Sequence, residues 1–531
     1  MKNDTATGQH EALVRTDARH SDTMGKKRPA PIVPAGKSPH PAAAISKRQL
    51  KVQRRQQRQE VVQSAPKAQS QHEPPSPSTP HVFNQDQFQM ANNRCWDPEI
   101  SHSVSVLPPS LASAAEPLAR EIARGAALRR LRLSFSEAVR GLQLTSPLVG
   151  AFERWHFGWL LGARASAATF DPLLPAAVAQ QPVADADGAL HDELVDSGAS
   201  SEAATATVAA LRASAEAEAT AMATATSSAS APPVDDTIVE LSVAPDNSSS
   251  GGGGKVWHVA CAAAPGPPLK LSDEWLAKLR AMHERATAVS DEPAFRVALV
   301  RLLLRYKALG GSGFQAALGG GTFEVLRSCF GASVECCASP LNARSTPFCS
   351  AFLDVDAPFG SLGSFLDLSP TEGAYEANPP FVPLFIAAMT DHMETLLRRA
   401  ETAGKALLFA VVVGTSAALK RHAAWAHMQR IAGGAFGRAQ WLVPLHAHGY
   451  TEGHAHIARG GSSEARRMSS CDTTVFIWAT SAASARWPAG AEAEAALRAA
   501  MRAMVPKQLK RATKANKNAA LAKKQKRVAA S

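Results

Sequence analysis

The sequence predicts an α/β fold built on a parallel sheet and preceded by a helical module. Near-continuous apolar runs, "KALLFAVVVG" at 405–414 and "TTVFIWAT" at 473–480, suit strands buried on both faces. Stretches such as "PAFRVALVRLLLRYKAL" (293–309) and "VPLFIAAMTDHMETLLRRA" (382–400) instead repeat their apolar residues at three and four, as helices do. Strands and helices in alternation argue for a parallel sheet covered on both sides. In such a sheet the ligand crevice lies outside the carboxyl ends of the strands.

In chain order the reading is as follows. Residues 1–94 are rich in Gln, Lys, Arg, Pro and Ser and poor in large apolar side chains, which predicts a disordered basic arm. A helical module is expected over 95–185. From 186 to 254 the chain runs from Ala/Ser/Thr/Glu-rich into "SSSGGGG", which reads as a flexible low-complexity insert. Residues 255–320 complete the helical module, with Gly310, Gly311 and Gly313 ending its last helix. The sheet domain is expected over 321–490. Its strand candidates are "ASVECCASPLN" (332–342), "FCSAFLDVD" (348–356), "SFLDL" (364–368), "AYEA" (374–377), "KALLFAVVVG", "WLVPL" (441–445) and "TTVFIWAT". Between them lie helices at 382–400, with Leu384, Phe385, Ala388, Met389, His392, Leu396 and Leu397 on one face, and at "ALKRHAAWAHMQRI" (418–431). A basic tail, 491–531, closes the chain.

The net charge of +11 gathers in "KKRP" at Lys26, "SKRQLKVQRRQQR" at Ser46 and "KKQKR" at Lys523, patterns that suit nuclear import or phosphate contacts. No N-terminal signal core and no long apolar run occurs, so secretion and membrane spanning are not expected. The seven cysteines form no CxxC pair, which disfavours a zinc site or a disulfide framework; they are expected to fill the core in a reducing compartment.

The chemistry concentrates in "EANPPF" (376–381), at a strand end before a helix. As a plain turn it would need no explanation. A methyltransferase acting on a conjugated amine, however, needs these residue types. The lone pair of adenine N6 is delocalised into the ring, so the site must hold the amine hydrogens with acceptors, which the Asn378 side chain and the Pro379 carbonyl can supply. Pro379 and Pro380 fix the backbone direction through their locked φ angles. Phe381 offers a face for the base to stack on.

Longer segments carry a family resemblance: "FGASVECCASPLN" (330–342), "FCSAFLDVDAPFGSLGSFLDLSPTEGAYEANPPF" (348–381), "AMTDHMETLL" (388–397) and "HGYTEGHAHI" (448–457), with "FERW" (152–155) and "FDPLLP" (170–175) upstream. The stretch from Phe323 to Pro488 resembles the catalytic domain of the cap-specific adenosine N6-methyltransferases, the family of phosphorylated-CTD-interacting factors with a WW domain. The resemblance implies a Rossmann-like class I methyltransferase domain using S-adenosyl-L-methionine. Its expected substrate is 5′-capped mRNA, methylated at N6 of the cap-adjacent 2′-O-methyladenosine. It makes Asn378, Pro379, Pro380 and Phe381 the catalytic loop. Donor contacts are sought at strand ends: Glu335, Ser339 and Asn342 after the first, and Asp354 or Asp356 after the second, where an acid can hold a ribose hydroxyl. A basic groove between module and sheet domain is expected to take the RNA. The implied location is the nucleus, with the cytoplasm also open.

No WW domain is recognisable, since no Trp precedes Trp96, and this puts recruitment by the RNA polymerase II machinery in doubt. The histidines at 446, 448, 454 and 456 lack helical metal-ligand spacing, so no metal is expected; His448 and Tyr450 are candidates for lining a cleft instead. Trp155 and Trp159 read as core, with cap stacking the other option. N6-adenine methylation of DNA or internal RNA, glutamine methylation, and a silent RNA-binding protein of the same fold stand as alternatives.

Overall fold

The computed structural model describes residues 85–97, 118–163, 171–174, 182–228, 239–243, 255–261, 268–310, 314–458 and 465–506, all within one compact unit, His81–Ser531. The three basic clusters of the flanks lie outside the described residues.

Helices α1 (Gln85–Ala91), α2 (Leu118–Arg140), α3 (Ala151–Ala163), α4 (Pro182–Asp196) and α5 (Ser201–Ser228) come first. An antiparallel sheet of β1 (Val239–Val243), β2 (Val256–Cys261) and β3 (Leu269–Ser272) then leads to α6 (Asp273–Thr287) and α7 (Glu292–Leu309). Leu128, Trp155, Trp159, Leu190, Leu211, Leu279 and Leu302 belong to one buried core that joins α2 through α7.

Three boundary expectations need correction. The stretch from 186 to 228 is not a flexible insert but most of two helices. Along α5 the buried apolar residues are Ala204, Val208, Leu211, Ala215, Ala219 and Met222, a spacing of three and four that seats one face on the module. The arm does not extend to 94, because α1 buries Phe88 against the sheet domain. Nor does the tail begin at 491: α14 (Ala491–Ala503) buries Leu497, Ala500 and Met501 in that same core.

The sheet domain runs α8 (Gly320–Phe330), β4 (Val334–Glu335), α9 (Leu353–Asp356), β5 (Gly373–Ala377), α10 (Pro383–Thr402), β6 (Leu407–Gly414), α11 (Ala417–Arg421), α12 (Ala423–Ala432), β7 (Gly437–Val443), the short hairpin strands β8 (Gly449–Thr451) and β9 (Arg466–Met468), β10 (Thr473–Ala479), α13 (Ser481–Arg486) and α14. Five strands pair in the order β4-β5-β6-β10-β7. The sheet is mixed rather than wholly parallel: β4, β5 and β6 are parallel, and β10 pairs antiparallel with both β6 and β7. Leu407, Phe409, Val411 and Val413 face α10 and α12, while Leu408, Ala410 and Val412 face α8 and α14. That two-sided burial is why the run is continuously apolar.

"FCSAFLDVD" and "SFLDL" are not strands. The first contributes only isolated bridges through Phe348 and Ser350 before α9, and the second holds a 3-10 turn, Phe365–Asp367. On α10 the buried stripe is Ile386, Met389, Met393, Leu396, Leu397 and Ala400, which leaves Phe385 free to face a cavity.

Candidate active site

Because β4 and β5 are parallel with Glu335 beside Glu376, the chains leaving them emerge at the same edge. One is the loop 336–345 and the other is Asn378–Phe381. Between them lies a cavity of about 160 Å³, lined by Ser339, Asn342, Asn378 and Pro380 from these loops. Phe314, Gln315 and Tyr306 line it from the end of the module, and Phe352 and Phe385 add aromatic faces.

The first loop is fastened at almost every polar group. Asn342 Oδ1 accepts from Ser339 N at 2.7 Å and from Ser339 Oγ at 3.0 Å, and Asn342 Nδ2 donates to the Gln315 carbonyl at 3.0 Å. Trp275 Nε1 donates to the Leu341 carbonyl and the buried Lys278 ammonium to the Ala343 carbonyl, each at 2.7 Å. Glu335 Oε1 accepts from Arg344 N at 2.5 Å and Ser345 N at 3.3 Å. A loop held this way keeps its shape without a ligand.

In the second loop Asn378 Nδ2 donates to the Ala316 carbonyl at 3.2 Å. Asn378 lines the cavity, and its Oδ1 is buried with no hydrogen-bond partner among the described residues, an acceptor left open. The Pro380 carbonyl accepts from Val382 N at 2.7 Å, closing the turn ahead of α10.

Of the sequence-predicted residues, the fold therefore brings together Ser339, Asn342, Asn378 and Pro380. Phe381 lies outside the cavity lining, with its ring packed over Gly414 and near Cys471. Pro379 is buried beside it. Glu335 does not reach the cavity; it secures the loop from beneath, and burial pushes its carboxyl up to about 7.

Neither aspartate follows a strand. Asp354 is bound by Arg305, which also pairs with Glu121 in a buried network. Asp356 is wholly buried, accepts from Tyr306 Oη at 2.8 Å, and is pushed up to about 7 by that burial. No acid lines the cavity among the described residues.

The remaining candidates also find places. His448 and Tyr450 are buried on Thr473 Oγ1, each at 2.7 Å, so they line no cleft. Trp155 and Trp159 stack on one another at 5.4 Å in the module core. A groove of about 830 Å³ does separate α3 and α4 from Val382–Leu384 and α11. It is slightly acidic rather than basic: Arg154 pairs with Glu193 and Arg421 with Asp196, and Asp192 adds a further acid to the lining.

Sequence reasoning missed Tyr306, Phe314, Gln315 and Phe385. Their only signal is position, at a helix end and just after the glycines that stop it.

The fold and site define a mixed α/β protein with a cavity at the carboxyl ends of parallel strands. Residues 278–453 match the family model described as the phosphorylated CTD interacting factor 1 WW domain. The human mRNA (2′-O-methyladenosine-N(6)-)-methyltransferase is 35% identical over 211 residues, covering 38% of this chain and 29% of its own length. The mouse protein of that name is 35% identical over 210 residues, with 38% and 28% covered. The chain thus spans less than a third of these relatives' length.

Proposed function

We propose that this protein is a Rossmann-like class I methyltransferase that uses S-adenosyl-L-methionine to methylate N6 of the 2′-O-methyladenosine next to the cap of mRNA. The observation that carries the reading is Asn378: it lines the cavity directly after a parallel strand, and its buried Oδ1 has no partner among the described residues. The likeness to two relatives named for this reaction supports the substrate.

The cavity suits the donor. Phe314, Phe352 and Phe385 offer aromatic surface for an adenine, while Ser339 and Asn342 offer polar groups for a ribose and an amino-acid tail. When bound, the donor supplies a methyl group on a positively charged sulfur. Asn378 Oδ1 then accepts one hydrogen of the target amine, turning its nitrogen lone pair out of conjugation, and Pro380 helps wall the position. The fastened 336–345 loop keeps the two reactants in line. The basic clusters of the flanks add salt-dependent affinity for RNA and direct the protein to the nucleus.

Transfer of labelled methyl to a short capped RNA beginning with 2′-O-methyladenosine tests this. Wild type should label it, and Asn378→Ala should lose on the order of 100-fold in kcat, as loss of one transition-state hydrogen bond does. Equal labelling of uncapped RNA, of DNA or of a glutamine peptide would reassign the substrate. Absence of donor binding would leave a binding protein on this fold.

A further inference from the structure

The segment Phe314–Leu318 makes two contacts that the reading above does not use. Its consecutive carbonyls receive the two asparagine amides of the site: the Gln315 carbonyl takes Asn342 Nδ2 and the Ala316 carbonyl takes Asn378 Nδ2. A backbone carbonyl can only accept. Each contact therefore selects one orientation of its amide, and at Asn378 it is the orientation that leaves Oδ1 without a partner among the described residues.

The segment is in turn fixed at both ends. Gln315, buried, donates Nε2 to the Gly310 carbonyl at 2.6 Å and reaches the Tyr306 carbonyl at 3.5 Å, closing the end of α7. Ala317 exchanges both backbone hydrogen bonds with Thr451, at 3.1 and 2.8 Å. The segment is a short beam between helical module and sheet domain, and both loops of the site are registered on it.

We propose that Gln315 is a positioning residue for methyl transfer: it holds the Ala316 carbonyl where it orients the Asn378 amide, and this requires an amide, not a carboxylate, at 378. An aspartate there would set a carboxylate oxygen against the Ala316 carbonyl, a repulsive pairing without a proton between them. The proposal rests on the methyltransferase reading of the site.

The test measures kcat, the KM values for donor and capped RNA, and thermal stability for wild type, Gln315→Met, Gln315→Ala and Asn378→Asp. Gln315→Met keeps the bulk of the side chain and removes its donor. Its kcat should fall by about tenfold while both KM values stay within about threefold, because the reacting groups are misaligned rather than unbound. Asn378→Asp should lose as much as Asn378→Ala. Gln315→Ala is the second variant, should Gln315→Met not fold.

An active wild type with an unaltered kcat in both Gln315 variants overturns the proposal. So does a loss confined to the donor KM, which would make Gln315 a binding residue, or an Asn378→Asp enzyme that keeps most of its rate. A wild type that transfers no methyl to any of the nucleic-acid or peptide substrates overturns the reading of the site, and this proposal with it.

Discussion

Gly414 ends β6 at a spot where any side chain would occupy the space filled by the Phe381 ring, and Cys471 Sγ would lie 2.9 Å from an added Cβ. The aromatic residue of the Asn378–Phe381 loop is thus seated on a bare backbone. Sterics at 414 are communicated straight to the turn that carries Asn378 and Pro380. Gly414→Ala should force the ring out of its seat, and overpacking of this kind costs about 1–3 kcal/mol. Activity should suffer more than stability, because a displacement near 1 Å at the reacting groups lowers rate by about 100-fold. Steady-state kinetics beside thermal denaturation decide it: a Gly414→Ala enzyme with wild-type kcat would show that the Phe381 seat is irrelevant to the site.

At the scale of elements, β4 and β5 place Glu335 and Glu376 side by side in a nearly dry edge of the sheet. Burial pushes Glu335 up to about 7 and Glu376 well above its ordinary value. The folded protein keeps protons there that the unfolded chain gives up near pH 4.5. Stability therefore falls as pH rises from the unfolded value toward the folded one, and the cost of the Glu335 charge is complete above about pH 7. Glu335→Gln still offers an oxygen to Arg344 N and Ser345 N but cannot ionise, so its melting temperature should decline less between about pH 5 and 8 than that of wild type. Parallel declines would remove Glu335 from the account.

The strands of the sheet differ in how far the sequence reveals them. β5 and β6 are legible because their apolar runs are bounded by turn residues, and Asn378 because its motif has a chemical rationale. The antiparallel placement of β10 is not, since a strand buried on both faces reads alike in either direction. α5 escapes because alanine occupies both its buried positions, such as Ala204 and Ala215, and its exposed ones, erasing the contrast that marks an amphipathic helix. Gln315 escapes because its role depends on a meeting of module and sheet domain that no local pattern encodes.

Across the whole molecule, the loop that lines the cavity is tied to a segment more than two hundred residues away. Arg344, almost wholly buried, donates Nε to Asp97 at 2.7 Å and Nη2 to the Ala91 carbonyl at 2.6 Å, with Nη1 on the Arg94 carbonyl, while Asp97 N donates back to the Arg344 carbonyl at 2.9 Å. Asn92 Oδ1 meanwhile accepts from Gly321 N at 2.7 Å at the start of α8. Residues 85–97 are therefore a strap that satisfies a buried guanidinium, not the end of a dispensable arm. A chain beginning at residue 98 leaves that charge without its carboxylate and carbonyls, and breaking a buried pair in this way costs about 3–5 kcal/mol. Part of that loss should appear in the loop itself. Calorimetric titration with S-adenosyl-L-methionine should show donor affinity weakened by about tenfold or more, against no change for a chain beginning at residue 82, since about 1.4 kcal/mol of lost loop order corresponds to one decade. If both chains bind the donor alike, the cavity loop stands without its strap, and the fastenings from Trp275, Lys278 and Glu335 suffice to hold it.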